Sequence, residues 1–297
     1  MYRQILNDTP FLSPADEHSR ELMHKVIATL PTVETVTVGY SIRRRPIEMY
    51  KFGNGGGRVI FFGTHHALES LTSNILYTFI YIMNSHFRGK IPIKNAPPLF
   101  TSLYSYYVIP CLNPDGVEVR MNGDVLSPIY SRVLEMSSGD TSGWQANARG
   151  VDLNHNYDYR FDEYKRLEAL RGITAGPTKF SGQYPESEPE SRLAANLVRL
   201  ISPIAVVSLH SQGEEIYYSP NTARRSASVI ARMSGYSLAR PTDTAQYGGL
   251  CDYTGQVLGI PSFTIEIGRG KNPLSESCIP NVLKRILEPL LILPSTI

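Results

Sequence analysis

The sequence predicts an α/β fold on a largely parallel sheet. Two features carry this: periodicity that switches repeatedly between helix and strand, and short apolar runs bounded by glycine-rich or polar stretches. Residues 15–30 put Leu22, Val26, Ile27 and Leu30 on one helical face. Residues 36–40 and 47–52 alternate and read as a hairpin across Arg43, Arg44 and Arg45, a run expected to form a solvated turn. Residues 58–63 form an apolar run beside glycines, as a buried strand requires, and a helix over residues 70–84 follows. Further strands are expected at 103–110, 204–209 and 262–267, with helices at 188–201, 222–235 and 280–291. Residues 113–183 are rich in Gly, Ser, Asn, Asp and Tyr with little periodicity, and are read as long ordered loops that carry function. With no internal repeat, residues 1–297 are expected to form a single domain.

Composition narrows the function. The chain is 42% hydrophobic and 19% charged, and its 29 Lys+Arg against 27 Asp+Glu leave a net charge of +2. That is globular and balanced, with no basic stripe for nucleic acid. The most apolar runs, residues 59–62 and 287–293, are far shorter than the ~20 residues that span a bilayer, so no membrane partner is expected. The first residues show no apolar leader, and three cysteines without a C-x-x-C pair give neither a disulfide framework nor a thiolate metal site. A reduced, cytoplasmic protein is expected; nothing indicates an oligomeric state.

Three positions carry chemistry, each at the end of an expected strand. His66 and Glu69 are three residues apart after 58–63, a spacing that puts both side chains on one face of a turn. His210 ends the apolar run 204–209 abruptly. Glu266 interrupts the apolar strand 262–267, where an unpaired carboxylate costs several kcal/mol. Each has an ordinary structural explanation alone. Together they form two histidines and one glutamate with a spare carboxylate, a set that suits a catalytic zinc with an open position.

The ordered strings His66-Ala67-Leu68-Glu69, Asn113-Pro114-Asp115-Gly116, Gly150-Val151-Asp152-Leu153-Asn154, Ser208-Leu209-His210-Ser211 and Phe263-Thr264-Ile265-Glu266 resemble the zinc carboxypeptidase family. The resemblance implies a central mixed eight-stranded sheet with helices on both faces. It also implies one zinc per chain held by His66, Glu69 and His210, with Glu266 as catalytic base. Arg149 is the implied cation for the developing oxyanion, with Gln145 competing for the aligned position. Asn154 is the implied carboxylate-binding asparagine.

The sequence departs from the digestive members at several points. His155 stands where they carry an arginine that grips the substrate carboxylate bidentately, which imidazole cannot do. Leu68 replaces an arginine common within H-x-x-E, and Tyr247 lies near, but out of register with, the proton-donating tyrosine. By alignment Cys251 falls at the base of the specificity pocket. The strings from Asn147 to His155 and from His210 to Tyr218 are instead similar to bacterial γ-D-glutamyl-meso-diaminopimelate peptidases. Glu214 or Glu215 would then meet the amine of the diamino acid. The resulting expectation is a zinc peptidase acting on murein stem peptides. A general carboxypeptidase, a related zinc deacylase and a non-catalytic binding protein are the alternatives.

Overall fold

The computed structural model describes residues 17–90, 93, 100–122 and 130–297. Eight strands form one mixed sheet: β1 (Glu34–Tyr40), β2 (Pro46–Phe52), β3 (Gly57–Phe62), β4 (Tyr104–Ile109), β5 (Ala205–His210), β6 (Glu215–Ser219), β7 (Ser237–Leu238) and β8 (Ser262–Glu266). Their order is β1-β2-β4-β3-β5-β8-β6-β7. The four central strands β4, β3, β5 and β8 are parallel, and antiparallel β2 and β6 flank them. The expected parallel character therefore holds for the middle of the sheet only. The eight-stranded mixed arrangement is the one the resemblance implied.

Helices cover both faces. The principal ones are α1 (Glu17–Ala28), α2 (Leu71–Phe87), α3 (Pro114–Asn122), α4 (Tyr130–Met136), α5 (Phe161–Arg171), α6 (Pro189–Ile201), α7 (Arg224–Ser234) and α8 (Ile279–Ile292). Strand alternation divides the core between them. Val59 and Phe61 of β3 pack with α1, α2, α7 and α8, whereas Ile60 and Phe62 pack with α6 and Tyr253. By the same alternation Val207, Leu209, Phe263 and Ile265 join the first cluster. His210 and Glu266 consequently share the opposite, α6 face.

Three expectations need correction. The stretch 113–183 is not all loop, for it contains α3, α4 (its N-terminal part preceded by residues outside the described set) and α5. Asn113 caps α3 by accepting a bond from the Gly116 amide at 2.9 Å, and Pro114 opens the helix. The arginine turn is not simply solvated. Buried Asp115 accepts bonds from the Ser41 hydroxyl, the Arg43 amide and the Arg45 guanidinium, all at 2.9–3.0 Å. Strands β6 and β7 were not foreseen. The first helix is observed from Glu17, and its expected start at residues 15–16 lies outside the described residues.

Candidate active site

Parallel strands deliver the site to one edge of the sheet, at their carboxyl ends. Beyond β3 the ladder continues irregularly: the Gly63 amide bonds Ile109 and the Asn113 amide bonds Thr64. A side chain at Gly63 would sit 2.5 Å from the Pro110 carbonyl, so glycine is required there. Thr64 adopts φ +50°, costly for a β-branched residue, and is held by hydroxyl bonds to Thr72 at 2.9 Å and Ser73 at 2.7 Å. This kink leads into a single 3₁₀ turn, Ala67–Glu69. Residues three apart nearly eclipse in such a turn, which brings His66 Nδ1 within 2.9 Å of Glu69 Oε1. From the end of β5, His210 Nδ1 approaches Glu69 Oε2 at 2.9 Å.

The ligand atoms of His66, Glu69 and His210 all lie within 4.8 Å of one another. Glu69 Oε2 is buried and makes no aligned hydrogen bond despite its closeness to His210. Two imidazoles and a carboxylate that converge at this spacing, with Glu69 Oε2 left without an aligned hydrogen bond, fit a zinc-type ion. Asp152 Oδ1 lies 3.1 Å from His66 Nε2 and orients that ring with Nδ1 toward the cluster. Asp152 itself caps the turn Leu153–His155 and accepts from the Lys179 amide at 3.0 Å. Beneath, buried His65 stacks 5.3 Å from His210, with its nitrogens facing Tyr157 and Ser208 hydroxyls.

Glu266 is directly opposite His210 in the β5–β8 register and opposite Glu215 across β6. Burial, followed by the nearby charge of Glu69, pushes its carboxyl well above the usual carboxylate range. Burial alone would likewise raise Asp152, but the charges of His66 and His155 override it and hold Asp152 far below that range. The Glu69 carboxyl is lowered to about 2: burial opposes the shift, and the charges of His66 and His210 outweigh it.

Glu266 opens on a cavity of about 110 Å³ whose wall includes Asn154, Tyr217, Cys251, Asp252 and Thr264. Of the expected substrate-binding residues, Asn154 and Cys251 therefore line the cavity at Glu266. Three others do not meet it. His155 bonds the Tyr247 carbonyl through Nδ1 at 2.8 Å and stacks on Tyr164 at 4.5 Å, so it packs the wall instead of facing a ligand. Tyr247 lies between the Tyr164 ring and the Arg160 guanidinium. Glu214 is clamped by Arg285 and, at 2.8 Å, by Arg269, which uses its charge within the protein.

The expectation for Arg149 fares similarly. Its exposed guanidinium lies 3.8 Å from Glu188, and none of its contacts reaches the cluster. Gln145 is nearer: its carbonyl bonds the Ala67 amide at 2.9 Å, and its side chain shares Thr178 with Asp152. Two residues were not singled out beforehand. Asp152 was visible in its string, but not its hydrogen bond to His66. Asp252 directly follows Cys251 and lines the same cavity.

A His–Glu–His cluster at the carboxyl ends of parallel strands, with a buried glutamate opposite and a cavity in front, defines a metal-dependent hydrolase. The chain belongs to the zinc carboxypeptidase family, whose model matches residues 20–288. It is a zinc metallopeptidase. Gamma-D-glutamyl-L-diamino acid endopeptidase 1 of Lysinibacillus sphaericus is 29% identical over 274 residues, 89% of this chain and 67% of that one. Murein peptide amidase A of Escherichia coli strain K12 is 31% identical over 117 residues, 38% of each protein. Bovine thrombin-activatable fibrinolysis inhibitor, solved with a tick carboxypeptidase inhibitor, shares the fold with a TM-score of 0.72 at 20% identity. The match covers 94% of this chain and 96% of that one.

Proposed function

We propose that residues 1–297 form one catalytic domain that hydrolyses γ-D-glutamyl-meso-diaminopimelate bonds in peptidoglycan stem peptides. The observation that carries this reading is the similarity, along 89% of the chain, to an endopeptidase named for γ-D-glutamyl-L-diamino acid bonds. Geometry is consistent with it: the arginine-like grip on a terminal carboxylate is absent at His155, whose ring is packed against Tyr164.

His66 Nδ1, Glu69 and His210 would hold zinc. Bound there, zinc supplies an acidified water, with pKa near ~7, and positive charge beside the attacked carbonyl oxygen. Ionised Glu266, favoured by the positive charge of a bound zinc against burial and Glu69, would accept a proton from the attacking water and return it to the departing amine nitrogen. Asp152 would keep His66 in one tautomer throughout. Asn154 and Cys251 line the space in which the substrate sits. Gln145, beside Asp152, is better situated than Arg149 to donate to the developing oxyanion.

None of the described helices is long and apolar enough to cross a membrane. Three unpaired cysteines, Cys111, Cys251 and Cys278, suit a reducing compartment, and we include cytoplasmic action in the proposal. Cell fractionation checks that part. The substrate is tested by incubating zinc-loaded protein with L-Ala-γ-D-Glu-meso-diaminopimelate and, separately, with hippuryl-amino acids, read by mass spectrometry. Release of diaminopimelate from the first alone supports the proposal. Cleavage of the second alone makes the protein a general carboxypeptidase.

A further inference from the structure

We infer that Asp252 and Arg240 form a receptor for a zwitterionic side-chain end on the departing residue, with Asp252 taking the ammonium and Arg240 the carboxylate. The inference rests on the peptidase reading and names the part of the substrate that the site selects.

The cavity beside Glu266 does not end at Asp252. It adjoins a wider compartment of about 290 Å³, and Tyr218, Pro241 and Asp252 line both. Arg240 and Gln256 face the outer compartment only. Moving outward from the reacting end, a side chain would pass Glu266, then Asp252, then Arg240.

Asp252 makes no ion pair among the described residues. Burial raises its carboxyl to about 6, although Ser219, Arg160 and Arg240 all act to lower it. A mostly buried carboxylate with no cation in direct contact is costly, and a cationic ligand offsets that cost. Arg240 is complementary. Among the described residues its guanidinium donates to neutral acceptors alone, the Tyr218 hydroxyl at 3.2 Å and Asn221 Oδ1 at 2.9 Å, and it lies 4.8 Å from the Tyr218 ring centroid. The neighbouring Arg160 differs, because Glu163 already neutralises it. One groove therefore presents an acid and a base that, among the described residues, form a salt bridge neither with each other nor with another ionised group.

Diaminopimelate carries an ammonium and a carboxylate on the last carbon of its side chain. Lysine carries the ammonium alone, and norleucine carries neither. The test compares kcat/KM of the zinc-loaded protein on L-Ala-γ-D-Glu-X with X as meso-diaminopimelate, lysine or norleucine, and on hippuryl-lysine against hippuryl-norleucine. Each recognised charge is expected to raise kcat/KM about tenfold or more. Asp252→Asn should bring the lysine-to-norleucine ratio toward one, and Arg240→Gln should do the same for diaminopimelate over lysine. Calorimetric titration with the three free amino acids reads the same order without turnover.

A wild-type lysine-to-norleucine ratio near one in both rate and binding overturns the inference, as does a ratio that Asp252→Asn leaves unaltered. If only the hippuryl compounds are cut, the γ-D-glutamyl assignment fails by itself. The hippuryl pair and the titrations then judge the receptor independently.

Discussion

Glu266 and Asp152 are carboxylates near the same histidine, and their surroundings drive them apart. Asp152 is ionised because it faces His66 and the Lys179 amide, whereas Glu266 is buried close to another acid. Under the proposed function this divergence would separate orienting of His66 from proton transfer. Glu266→Gln should lower turnover by roughly 10³-fold or more while zinc content, measured by mass spectrometry of the purified protein, stays at one per chain. Loss of the metal in that variant would make Glu266 a ligand instead. Asp152→Asn should weaken zinc affinity by about 10- to 100-fold in a chelator competition, because the His66 ring loses its fixed tautomer. The grouping of His66, Glu69 and His210 with Glu266 was readable because His210 and Glu266 end apolar strands, where burial demands a reason, and His66 and Glu69 follow one at a three-residue spacing. His155, Glu214 and Tyr247 were not. Their partners, Tyr164 and Arg285 among them, are distant in sequence and only the fold brings them together.

Six of the eight strands, and helices α1, α2, α6, α7 and α8, were legible because period-2 and period-3.6 burial write themselves into hydrophobicity. Helix α6 buries Ala194, Ala195, Leu197, Val198 and Ile201 in a clear pattern. Helix α5 buries only Phe161, Tyr164 and Glu168, so its sequence carries almost no stripe and it reads as loop. Edge strand β7 has two residues, both exposed, and offers no pattern at all. One turn matters more than its length implies. Gly248 has φ +65°, and a side chain there would lie 2.3 Å from the His155 carbonyl. It donates to Tyr159 and accepts from Tyr157, fixing the segment that leads to Cys251 and Asp252. Gly248→Ala should cost at least about 1 kcal/mol in denaturant unfolding. It should also raise KM more than it lowers kcat, because the cavity wall moves while the cluster does not.

At the scale of the whole molecule, Glu190 shows how distant segments are tied together. From α6 it accepts the Ile42 amide at 3.0 Å and reaches Asn147 at 3.3 Å, joining the arginine turn to the chain before Asp152. Burial, with the charges of Asp115 and Glu188, raises its carboxyl to about 7. The folded protein thus holds a proton there that the unfolded chain releases near pH 4.5. The stability this contributes is complete below about pH 4.5 and is lost as pH rises through about 7. Urea unfolding at pH 5 and pH 8 should show wild type losing on the order of 3 kcal/mol more than Glu190→Gln, which cannot ionise. Equal losses would exclude Glu190 as the source.

The pairing of β5 with β8 sets His210 directly across from Glu266. The spacing between these two side chains is thereby counted in whole residues. A slip of one residue would turn either side chain to the opposite face, and a slip of two would carry it about 7 Å along the strand. Neither change can be made small. The length of the excursion between β6 and β8, by contrast, can change without altering that register. That excursion holds Arg240 and Asp252, so under the proposed receptor substrate preference would diversify there while His210 and Glu266 stay in register.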